Sequence, residues 1–110
     1  MAVDERLATR VRAALRDVPG VEERHMFGGL AFMVDGHMAC GVIGTDLMLR
    51  LGEQGAAAAL EQPHVRPMDF TGRPLRSMVF VASTGVDSAR GLRRWVDRAV
   101  EYARTLPPKR

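Results

Sequence analysis

The sequence predicts an α/β (α+β) domain: an antiparallel meander of about five strands flanked by an N-terminal and a C-terminal helix. Two observations carry this. Between Arg24 and Leu51 the chain reads RHMFGGLAFMVDGHMACGVIGTDLMLRL, with Gly28-Gly29, Asp35-Gly36 and Gly44-Thr45 dividing runs of apolar and β-branched residues. On either side of this region lie stretches whose apolar residues recur at helical spacing. Asp-Gly between apolar runs is a strong hairpin signal, because a type I′ turn needs positive φ at both central positions.

The first helix is expected from about Asp4 to Val18, where Val3, Leu7, Val11, Ala14, Leu15 and Val18 form one stripe. Asp4 is its N-cap, Glu5 suits the first turn, and Pro19-Gly20 stops it. Strands follow near 23–27, 30–34, 37–43 and 46–51. With Asp35-Gly36 as a two-residue loop, Val34 should face His37 and Ala31 should face Cys40. Apolar residues on both faces of 37–43 indicate a central strand covered on each side, or a homodimer contact. Residues 53–60 read as a short, small-faced helix closed by Pro63, and 62–74, with three prolines, as an ordered loop. A last strand at 78–81 and a turn at Thr84-Gly85 lead to a helix over about 88–105, capped by Asp87 or Ser88. Its buried stripe is Leu92, Trp95, Val96, Ala99, Ala103 and Leu106.

With 110 residues, no internal repeat and no linker, the chain is expected to form a single domain over residues 1–110. No apolar run reaches the roughly 20 residues of a membrane span, and the acidic N-terminus argues against a targeting signal, so the cytoplasm is expected. Cys40 is the only cysteine, which excludes an internal disulfide. The net charge is +3, from fifteen Arg, one Lys and 13 acidic residues, too modest to steer the whole chain to a polyanion.

Motifs for chemistry are sparse. His25, His37, His64 and Cys40 lack the paired short spacings of a zinc site. His37 and Cys40, three apart on one strand, should point to opposite faces. Cys40 shows no base partner and reads as a core residue. Gly28-Gly29 precedes a strand rather than a helix, so it reads as a turn and not as a phosphate cradle. No catalytic residue, cofactor or metal is therefore expected. On the last helix Arg90, Arg94 and Arg98 fall at i, i+4 and i+8, with Arg93 adjacent; Arg73 and Arg76 could extend the patch. Asp97 and Glu101 interrupt it and can pair with Arg93 and Arg98. No aromatic interleaving suggests base stacking. Seven Met residues are many for this length and suit core or interface packing.

The ordered set Met26-Phe27-Gly28-Gly29, Asp35-Gly36, Leu47-Met48-Leu49 and Pro67-Met68-Asp69-Phe70, followed by an amphipathic helix, resembles the N-terminal domain of the TfoX/Sxy family. The fold it implies is an antiparallel sheet flanked by helices, more distantly similar to the MmcQ/YjbR type. The resemblance implies kinship with competence regulators that act with the cyclic-AMP receptor protein at promoters. A stand-alone N-terminal domain is expected, without the helical C-terminal domain of those regulators. The function that follows is a small non-enzymatic binding or adaptor protein with a protein partner. Two alternatives stand beside it: nucleic-acid binding through the arginine face of the last helix, and a small-molecule site or enzyme using a pocket between sheet and helices.

Overall fold

The computed structural model describes residues 3–26, 28–70 and 73–107. Phe27 lies outside them, as does the side chain of Arg73. The elements, in chain order, are α1 (Glu5–Ala14), β1 (Val21–Met26), β2 (Gly29–Val34), β3 (His37–Ile43), β4 (Asp46–Arg50), α2 (Gly52–Ala59), β5 (Val65–Phe70), β6 (Arg73–Val81) and α3 (Ala89–Thr105). A single turn of 3-10 helix, Ser83–Gly85, precedes α3. The strands form one antiparallel six-stranded sheet in the order β1-β2-β3-β4-β6-β5.

Asp4 caps α1 as expected, its carboxylate accepting from the amides of Arg6 at 2.9 Å and Leu7 at 3.2 Å. The helix is shorter than the apolar stripe suggested. Past Ala14 the chain tightens into turns such as Val18 N–H to Leu15 C=O. Arg12 forms a two-pronged ion pair with Glu23 at 2.7 and 3.0 Å, tying α1 to β1. This contact holds the Glu23 carboxyl below its ordinary pKa.

The hairpin signals translate directly into geometry. Asp35 and Gly36 both have positive φ, 53° and 86°, and Val34 faces His37. Gly28 sits at φ 73° between β1 and β2. A Cβ at Gly29 would overlap the carbonyl oxygen of Val42 on β3, so this position needs close backbone approach rather than a side chain.

Two expectations are corrected. The segment 62–74 is not a loop: most of it is β5 and the start of β6. β5 is an edge strand, where Pro67 withdraws no ladder hydrogen bond from an interior pair. The pairs Pro67↔Val79 and Asp69↔Pro74 leave Met68 alone against residues 75–78 of β6, an irregularity in the β5–β6 ladder. The second correction is the β2–β3 register. Met33 faces Met38, yet Phe32 faces Cys40, so Ala39 is an extra residue and Ala31 faces Gly41 instead of Cys40.

The sheet has two apolar faces. On one, Phe32, Val34, Cys40, Val42, Leu47, Leu49, Val79 and Val81 meet the buried residues of all three helices. α3 lies across β3 and β4, α1 packs beside α3, and α2 packs on β6. The other face carries Ala31, Met33, Met38, Met48, Met68 and Met78, rimmed by Met26, Ile43, Leu75 and Phe80. The helices bury their apolar residues against the first face, yet Met48 and Met68 on the second are 0% exposed. Met68 of β5 and Met78 of β6 pack with Met33, Met38 and Met48 into one cluster within the chain. Met48 lies over Gly41, where a Cβ would stand 2.5 Å from its methyl. Both faces of β3 are filled within one chain.

Among the described residues no helix is long and apolar enough to cross a membrane.

Candidate functional site

The residues that look most reactive in the sequence are occupied by structure. The extra residue at Ala39 shifts the alternation, so His37 and Cys40 stand opposite Val34 and Phe32 and share the helix-covered face. Counting residues along an unbroken pleat placed them on opposite faces; the bulge reverses that parity. His37 is nonetheless spent, its Nε2 donating to the carbonyl of Pro107 beyond the end of α3. Cys40 is fully buried, and burial alone pushes its thiol up to about 12. A neutral, inaccessible thiol is a poor nucleophile. Iodoacetamide at mildly alkaline pH is expected to leave Cys40 unmodified in the native protein and to alkylate it in denaturant. Fast native alkylation, read by mass spectrometry, would contradict this burial.

The remaining histidines are dispersed. His25 is exposed on β1, and His64 Nδ1 lies 3.0 Å from the Thr84 hydroxyl. Among the described residues no group of three or more His, Cys, Asp or Glu could hold a metal.

The arginine row is where the structure gathers unspent chemistry. α3 carries five Arg against Asp97 and Glu101. Its apolar stripe faces the sheet, which leaves Arg90, Arg93, Arg94 and Arg98 exposed. Arg93 pairs with Asp97 at 3.3 Å, as its spacing suggests. Arg98 does not pair with Glu101; its guanidinium lies 5.1 Å from the Trp95 ring centroid. On the neighbouring element, Arg50 at the end of β4 lies 5.8 Å from the centroid of Tyr102. Among the described residues Arg50, Arg90, Arg94 and Arg98 have no carboxylate within 4.0 Å.

Three adjoining clefts run along this side of α3. The first, about 170 Å³, is lined by Gln62, Gly85, Gly91, Arg94, Trp95 and Arg98. It meets at Arg98 a cleft of about 310 Å³ between α2 and α3, where Gly55 and Ala58 face Tyr102, Glu101 and Thr105 over Leu51. That cleft opens past Tyr102 onto a wider one of about 520 Å³ at the start of α2, reaching Glu53 and Ser77. The small residues of α2 create this furrow: Ala56 and Ala59 are buried beneath the helix, while Gly55 and Ala58 leave its flank low. Arg76 is exposed on β6 and lines none of these clefts.

The chain's only Trp and only Tyr therefore both stand beside arginines. The sequence shows no aromatic interleaving for base stacking, and in the structure each of these rings carries an arginine over one face. Trp95 and Arg98 are three apart on one helix, a legible spacing. The partner of Tyr102 comes from β4 and leaves no local signal.

A family model described as TfoX N-terminal domain matches residues 13–103. The chain belongs to the TfoX N-terminal domain family. No curated protein and no solved structure compared with it matches. The open antiparallel sheet with three helices is consistent with that family. Within this TfoX N-terminal domain the family-like motif residues are structural. Gly28, Gly29, Asp35 and Gly36 set turns and close approaches, and Met26 packs at the rim of the methionine face.

Proposed function

We propose that this TfoX N-terminal domain is a small, non-enzymatic, cytoplasmic binding module that acts in regulation by contacting a protein partner through the exposed side of α3. One observation carries the reading: Arg90, Arg94 and Arg98 project to solvent without carboxylates among the described residues, beside the furrow that α3 forms with α2. The groups that could do covalent or acid–base chemistry support it from the other direction, since the Cys40 thiol is sealed in the core and His37 is bound to Pro107. Unpaired surface arginines with adjacent aromatic rings are typical of contact surfaces.

The same arginine row favours a second reading, in which nucleic acid is the partner. Phosphate contacts would make the affinity fall steeply with salt. Affinity capture from the native cell, with and without nuclease, separates the two. The protein reading expects a protein that stays bound after nuclease treatment and is lost on the double replacement R94E/R98E. Recovery of nucleic acid alone, or turnover of a metabolite by the purified domain, would contradict it.

A further inference from the structure

Resting on the partner-binding reading, we infer that the furrow between α2 and α3 is a docking groove for an acidic, partly apolar segment of a partner protein. Its length, charge and walls each point to this occupant. The furrow follows α3 from Gly91 to Thr105, about 21 Å at the helical rise. That length suits about six residues of extended chain or about fourteen of helix, and exceeds what one small metabolite fills.

The charges in it are arranged for carboxylates. Arg94 and Arg98 stand on the α3 wall, while Arg50, which lines none of the clefts, lies over Tyr102 beside the far end. A guanidinium stacked on a ring is held in orientation while its in-plane N–H groups stay available for a forked contact to a carboxylate. Between these arginines the wall and floor are small or apolar: Gly55 and Ala58 on α2, with Leu51 below. Such a surface accepts a short aliphatic side chain placed between acidic ones.

The same details disfavour a nucleic-acid strand. A strand bound in a groove stacks its bases on free aromatic faces. Here one face of Trp95 lies under Arg98 and one face of Tyr102 under Arg50. Tyr102 is also packed on Gly52, where a Cβ would come within 2.6 Å of its ring. Glu101 lines the central cleft and Glu53 the wide end. A continuous row of phosphates would meet both carboxylates, whereas a peptide can place a neutral or basic residue there.

The test is a selection. Random peptides of about 16 residues, long enough to span the furrow as helix, are displayed and selected on the whole protein at physiological salt. Enriched sequences are then titrated as synthetic peptides. The proposal expects Asp and Glu with an interspersed aliphatic residue, and a change in Trp95 fluorescence on binding. It also expects affinity to fall on the order of tenfold or more in R94E/R98E and to recover when Lys replaces the acidic positions of the peptide. Arg94 and Arg98 are exposed, so circular dichroism should match the wild type. A58E, which places a carboxylate on the opposite wall, should weaken binding independently.

Peptides that bind R94E/R98E and A58E as tightly as the wild type would overturn the furrow while leaving a protein-binding domain. An empty selection, or one without acidic bias, also overturns it. Binding of an oligothymidine probe in place of any peptide would overturn both readings.

Discussion

Phe32→Ala is expected to lower stability by about 3–5 kcal/mol, the usual cost of deleting a buried aromatic ring. Phe32 is 0% exposed in the middle of β2 and is among the largest fully buried side chains among the described residues. It faces Cys40 across the β3 bulge, in the cluster shared by the sheet and the helices. A bulged register and a fixed sheet leave little room for collapse, which places the loss toward the upper end. A domain has about 5–15 kcal/mol in total, so the urea midpoint should drop sharply with little change in slope. A loss below about 1 kcal/mol would show that this face is not the principal core.

Met48→Ala is expected to cost about 2–5 kcal/mol, although it lies on the face away from the helices. Met48 is 0% exposed, and its methyl covers Gly41 on the adjacent strand. If the methionine face is closed within one chain, this loss will be the same at low and high protein concentration. Met26, half-buried at the rim, should lose less on the same replacement. Urea melts at two concentrations distinguish this from a face completed by a second copy, whose stability would rise with concentration.

Most of the fold was legible because its signals are local. Asp35-Gly36 sets two positive φ values, Asp4 and Ser88 cap helices through their own side chains, and the apolar stripe of α3 recurs at helical spacing. What was not legible depends on non-local structure. The extra residue at Ala39 is invisible to counting by twos, and it alone decides that His37 and Cys40 share a face. β5 was hidden because three prolines in 62–74 read as loop, although only Pro67 falls within β5, an edge strand that tolerates it. On the candidate site, the arginine row of α3 was readable from i, i+4, i+8 spacing. Its other half was not: Leu51, Gly55 and Ala58 line the furrow, and Arg50 lies over Tyr102 at its side, only because β4 and α2 pack beside Tyr102. The small residues of α2 announced close approach, but the sequence did not say to what.

The central claim is that partner contact falls on the α2–α3 side of the domain. Radical footprinting of the domain alone and bound to its captured partner tests it most directly, because the chain's single Trp and single Tyr both stand there. Oxidation of Trp95 and Tyr102 should slow several-fold in the complex, while His25 on the β1 edge and Met26 at the methionine rim keep their rates. Unchanged labelling of Trp95 and Tyr102, with protection at His25 or Met26 instead, would contradict the claim.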